Sequence, residues 1–179
     1  MIDPFQSAAT WLAKLESGEL SARQATEIMI ERIEQIDPKI NAVVVRDFSG
    51  ARLAADAADD ARKRGETLGL LHGLPMTVKE AFDVSGLTTT WGVPKFKNNV
   101  AYRDSLVVEK LRSAGAIILG KTNVPLMLSD WQTFNEIYGT TNNPWDKSRS
   151  SGGSSGGAAA ALAAGLTPLE VGSDIGASI

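Results

Sequence analysis

Ser154 and Ser178 stand in glycine-rich backbone, the first within Gly152-Gly153-Ser154-Ser155-Gly156-Gly157 and the second within Gly172-Ser173-Asp174-Ile175-Gly176-Ala177-Ser178. Glycine lacks the Cβ that would hold a ligand off, so the amides of such runs can crowd a reacting centre. Read with Lys79 in Thr77-Val78-Lys79-Glu80, the two hydroxyls suggest serine–lysine hydrolase chemistry rather than a passive linker. A lysine is a base at neutral pH only if burial brings its reference pKa of about 10.4 down to near 7, a change of about 4 kcal/mol. Composition alone favours the plainer state, an exposed edge lysine paired with an acid. Within a strand Glu80 points to the opposite face and need not oppose that change. A linker would continue in polar low-complexity sequence. Here the run enters the alanine-rich 158–164, a strong helix former, and a loop leading into a helix in this way fits an anion or phosphate site equally well.

The elements that must position these groups are readable from periodicity and punctuation. Residues 7–16 and 22–36 are expected to be helical; in the second, Ala25, Ile28, Met29, Ile33 and Ile36 recur at three- and four-residue steps between Ser21 as N-cap and Asp37-Pro38 as the stop. A short strand is expected over 41–45. A helix follows over 51–64, with aspartates early, basic residues late and Gly65 at its end. Beyond it come a strand over 76–80, a helix over 104–114, a strand over 116–119, a helix over 158–164 and a strand over 169–171. Strands alternating with helices predict an α/β fold, a mixed sheet with parallel pairs flanked by helices. One domain is expected over 1–179, with 1–65 as a helical layer and 66–179 as the core strands and helices. Chemistry in such sheets gathers in the loops at strand ends.

Other candidates are weaker. Gly115-Ala116-Ile117-Ile118-Leu119-Gly120-Lys121-Thr122 has P-loop spacing, yet its four intervening residues are an apolar strand where a phosphate cradle needs a loop. His72, the one histidine, reads as a hydrogen-bonded structural residue. Asp56 and Asp60 share a helix face but lack a complementary ligand, so no metal is expected. The 179 residues carry a formal charge of −3, which leaves no field to attract nucleic acid or anionic lipid. Cysteine is absent, which removes disulfides and thiolate sites. No signal peptide or membrane segment is legible, and a cytoplasmic protein is expected.

The glycine-serine runs, together with His72-Gly73-Leu74-Pro75, Val78-Lys79, Leu119-Gly120-Lys121-Thr122-Asn123 and Thr141-Asn142-Asn143-Pro144-Trp145-Asp146, resemble the amidase signature family in consistent order over most of 20–179. The resemblance implies the amidase signature fold, no cofactor, Lys79 as base, Ser154 as the bridging serine after a cis peptide bond, and Ser178 as nucleophile. It further implies an oxyanion loop made by the amides of Ile175, Gly176, Ala177 and Ser178, and substrate contacts from Ser154 and from Leu128 in the acyl pocket. Three departures from the family pattern stand out. Ala177 occupies a usual glycine position, so its Cβ is strained if φ is positive. Arg149-Ser150-Ser151 replaces a proline-containing approach to the double glycine. Family members also continue for hundreds of residues past the nucleophile, so the chain is expected to be the N-terminal part of a domain truncated after Ser178 and inactive alone.

The activity so implied is hydrolysis of a carboxylic amide to acid and amine through an acyl-enzyme. An alternative is the A subunit of a tRNA-dependent amidotransferase, a glutaminase, although Leu126-Met127-Leu128-Ser129-Asp130-Trp131 looks more like general amidases. A non-catalytic binding or assembly fragment is the third reading. The expected partners are a small-molecule amide and either a second copy in a homodimer or a C-terminal chain, with nucleic acid only for the amidotransferase.

Overall fold

The computed structural model describes residues 2–66 and 69–179; Met1, Thr67 and Leu68, which fall within the expected helical layer and core segments, lie outside the described residues. Helix α1 (Ala8–Ser17) is capped by Ser7 and closed by Gly18, and α2 (Ala22–Ile36) carries a full capping box between Ser21 and Gln24. Strand β1 (Val43–Arg46) leads into α3 (Phe48–Lys63). Helix α3 begins three residues before the expected Ala51 because the Asp47 carboxylate accepts the Gly50 N–H (2.9 Å), a side-chain cap that absorbs the Ser49-Gly50 break. The α2 and α3 pair is tied by charge: Asp59 of α3 accepts the N–H groups of Ala22 and Arg23 at the start of α2 (2.7 and 2.9 Å), and Arg52 forks onto Glu27.

Strand β2 (Pro75–Lys79), helix α4 (Leu106–Ser113) and strand β3 (Ile117–Thr122) form a strand–helix–strand crossover, followed by the small hairpin β4 (Phe134–Asn135) and β5 (Gly139–Thr140). Helix α5 (Gly156–Ala163) and strand β6 (Glu170–Val171) complete the chain. The main sheet runs β1-β3-β2-β6, with β2 parallel to both β3 and β6 and β1 antiparallel to β3. This is the mixed sheet with parallel pairs flanked by helices. The Gly115–Thr122 segment is a turn and then strand, with all six residues of β3 buried, so its P-loop spacing encloses no cradle.

Two apolar layers sandwich the sheet. One joins Trp11, Leu15, Met29, Ile33, Ile117 and Leu119 with Ala160 and Ala161 of α5; the other joins Met76, Val78 and Ile118 with Val108 of α4. An extra residue in β3 breaks the β2 register between Met76 and Thr77: Met76 pairs with Ile118, but Thr77 pairs with Gly120. Gly120 is required there by close approach, because a Cβ would overlap the Val45 carbonyl of β1. Past the bulge, Val78 pairs with Lys121 and Lys79 with Thr122. Lys79 and Thr122 therefore share one face, and Val78 and Lys121 the other.

Candidate active site

Lys79 ends β2 with hydrogen-bonded strands on both sides, and it is 0% exposed, so it is not the edge lysine that composition favours. Its Nζ donates to Ser154 Oγ (2.7 Å), Ser155 Oγ (2.9 Å) and the Ser173 carbonyl (3.1 Å). Burial lowers its pKa to about 8, against the opposing pull of Asp174 and then Glu170. Its ammonium thus holds its proton far more weakly than an exposed lysine, with hydroxyl oxygens as nearest partners.

Those hydroxyls are delivered by the loop that enters α5. The Gly153–Ser154 peptide is cis, and Ser154 is 2% exposed. Helix α5 can approach so closely because Gly157 presses its Cα onto the backbone of Asn123, just past β3, where a Cβ would overlap the Asn123 N and O atoms. Ser155 accepts from Lys79 and donates to the Ser173 carbonyl (3.2 Å), so it links the two glycine-serine runs. Neither Ser155 nor Ser173 stands out as a site residue in the sequence; the Ser-Ser doublet is the available signal, since neighbours in a turn can face one group from two sides.

The second run folds over the first. Ser155 N donates to the Ser178 carbonyl (3.1 Å), and Ile179 N donates to the Asp174 carboxylate (3.2 Å). Backbone hydrogen bonds, first from Ser178 and also from Ile179, Gly176 and Ala177, hold the Asp174 carboxyl below the usual range. The amides of this loop therefore already face a negative charge. Ala177 has φ 63, the left-handed conformation in which a Cβ is unfavourable. Ile175 is fully exposed. Among the described residues no hydrogen bond joins Ser178 Oγ to Ser154 Oγ; the two runs meet at Ser155, through its bonds to the Ser173 and Ser178 carbonyls.

A cleft of about 420 Å3 opens over this junction, lined by Trp131, Gly153, Ser155, Ala177, Ser178 and Ile179. Trp131 donates its indole N–H to the Gly176 carbonyl (3.2 Å). Leu128 lies three residues upstream in a turn where Met127 and Leu128 have φ 54 and 59, and it is not among the lining residues. Away from the cleft, His72 Nε2 lies 2.9 Å from the Ala58 carbonyl, Asp56 pairs with Arg23 and Asp60 with Lys63. No group of three or more metal-ligating side chains gathers among the described residues, and none of the helices described there is long and apolar enough to cross a membrane.

Known proteins share this arrangement of chain. The Amidase family model matches residues 24–179. An acylamidase of Rhodococcus erythropolis is 45% identical over 175 residues, covering 97% of this chain and 36% of the acylamidase. The A subunit of a glutamyl-tRNA(Gln) amidotransferase of Streptomyces coelicolor is 43% identical over 173 residues, covering 97% of this chain and 35% of that relative. The solved structure of a fatty acid amide hydrolase superposes with a TM-score of 0.93 at 29% identity, covering 98% of this chain and 31% of the hydrolase. The chain spans about a third of the length of these relatives. Sequence match over 24–179 and superposition of nearly every residue lead to one conclusion: the chain belongs to the amidase signature family.

Proposed function

We propose that the protein carrying this chain hydrolyses a carboxylic amide through an acyl-enzyme on Ser178, with Ser154 as proton relay and Lys79 as base. The observation that carries the reading is the 2.7 Å contact between Ser154 Oγ and the buried Lys79 Nζ, whose proton is more weakly held than that of an exposed lysine. Neutral Lys79 takes the Ser154 proton while Ser154 takes the Ser178 proton, and Ser178 Oγ bonds to the carbonyl carbon. The charge that develops on the carbonyl oxygen falls to the amides of Ile175, Gly176, Ala177 and Ser178. The Asp174 carboxylate drawing on three of these amides supports the reading of the loop as an anion acceptor. Ser154 then protonates the nitrogen as the C–N bond breaks, and water attacking the ester reverses the route to release the acid.

The test uses the full-length protein with a fluorophosphonate probe and an aryl amide. Labelling and amine release that both disappear in Ser178→Ala are expected. Labelling retained in Ser178→Ala overturns the assignment of the nucleophile. A second reading rests on the comparable identity, 43%, to the amidotransferase relative: the same groups would release ammonia from glutamine. Glutamine turnover that exceeds aryl-amide turnover and depends on an added partner protein selects it.

A further inference from the structure

Glu170 opens β6 as the register partner of Thr77. On β2, Thr77 and Lys79 lie two residues apart and share a face. Across on β3, Thr122 is the register partner of Lys79. Both hydroxyls end on one carboxyl: Thr77 Oγ1 donates to Glu170 Oε2, and Thr122 Oγ1 donates to Oε1 (3.3 Å). The carboxyl is thereby strung between the residue behind Lys79 and the residue beside it. Glu170 is half-buried at the edge of the sheet.

No arginine or lysine forms a salt bridge with Glu170 among the described residues, and burial pushes its carboxyl up to about 8. The groups facing it are Thr77 and Lys79 of β2, Thr122 of β3 and the Val171 amide of its own strand; Lys79 also faces Asp174 of the following loop and Ser154 and Ser155 at the start of α5. A negative charge at Glu170 would strengthen the hold of Lys79 on its proton, and a neutral carboxyl would not.

We propose that Glu170 is a positioning residue for Lys79, a carboxyl clamped by Thr77 and Thr122 whose charge state governs how readily the lysine gives up its proton. This rests on the Ser-Ser-Lys reading. Neutral at and below neutral pH, Glu170 donates its own O–H to Thr122 Oγ1 while Thr122 donates to the Val78 carbonyl (3.4 Å), and it joins β6 to β2 and β3 without opposing deprotonation. Ionised at higher pH, it raises the proton affinity of Lys79 and delays its arrival as a base.

The experiment follows the rate of fluorophosphonate labelling against pH in the full-length protein. Glu170→Gln keeps the shape and removes the charge; it should move the midpoint of the rising limb down by about one pH unit while keeping the plateau within a few-fold. Glu170→Met, which has no ionisable end, should move the midpoint the same way, so either variant that folds reads the outcome. A midpoint that stays in place or rises in the folded variants overturns the proposal and leaves Glu170 a structural clamp. Failure of the underlying reading has a separate signature, labelling that survives Ser178→Ala in the otherwise unaltered protein.

Discussion

Lys79 and Lys121 make a natural comparison, because they lie on neighbouring strands, are both 0% exposed and are both lowered to about 8 by burial. They differ in what they touch. Lys79 meets the hydroxyls of Ser154 and Ser155 beside an open cleft. Lys121 meets the Thr88 carbonyl (2.6 Å) and Thr89 Oγ1 (2.7 Å), with the Glu80 charge as its main electrostatic support. Glu80 in turn accepts from the N–H groups of Thr90 and Trp91 and from the Tyr138 hydroxyl, and its pKa is raised by burial. Lys79 faces a pair of serine hydroxyls beside the cleft that Ser178 lines, whereas Lys121 ties β3 to residues 88 and 89 through one carbonyl and one hydroxyl. Burial that weakens a lysine's hold on its proton is therefore not by itself evidence of a base; a candidate nucleophile in the adjoining cleft, Ser178 here, separates the two.

The largest effect that could break this contrast is at Lys79. Replacing it as Lys79→Met should cost amide turnover by about 10²- to 10⁴-fold, the range for a removed general base, while circular dichroism reports an intact fold; turnover within tenfold of the parent would make the two lysines equivalent. Next comes Lys121→Met. It leaves Glu80 facing no buried cation and should lower unfolding free energy by about 3 kcal/mol, read from urea midpoints, with no change in the pH midpoint of fluorophosphonate labelling. That midpoint is itself a prediction: with neutral Lys79 as the proposed base, labelling should rise as pH rises through about 8.

Tyr138→Phe removes one donor from Glu80 and should cost about 1 kcal/mol of stability, again without touching labelling. The smallest effect belongs to charges that are paired without deep burial. Arg52 is the first cause that holds Glu27 at about 2, below its usual 4.5. The stability Glu27 contributes is complete above pH 4.5 and is lost as pH falls through about 2. Arg52→Leu should therefore lower stability by less than about 1 kcal/mol at neutral and alkaline pH alike, a difference from the parent that disappears as pH falls through about 2.

Local signals carry much of this architecture. Helix α2 lies between its capping box and Asp37-Pro38, as the apolar spacing and turn residues require. Strand β3 extends to Thr122 rather than ending at 119, because Lys121 and Thr122 look like loop residues until the neighbouring strands enclose them. Helix α5 begins at Gly156, two residues before its alanines, because tertiary contact with Asn123 selects glycine where propensity disfavours it. The β4–β5 hairpin is not legible in advance, since two-residue strands have no alternation to read. At the candidate site, Lys79, Ser154 and Ser178 stand out by type and surroundings. Ser155, Asp174 and Glu170 do not, because their significance depends on register and loop closure, which residue spacing does not encode.

A strand sorts its side chains by parity, odd positions to one face and even to the other. The single extra residue before Gly120 changes that parity halfway along β3, which is why Ile117 and Leu119 look toward α2 while Lys121, an odd residue too, looks the other way. Strict alternation through the same residues, with no bulge to absorb the extra one, would pair Lys79 with Lys121 and swap the destinations of Lys121 and Thr122. A second buried ammonium would then stand beside Lys79 in place of the hydroxyl that holds Glu170, so proton chemistry and scaffold are kept apart in this sheet by a count of one.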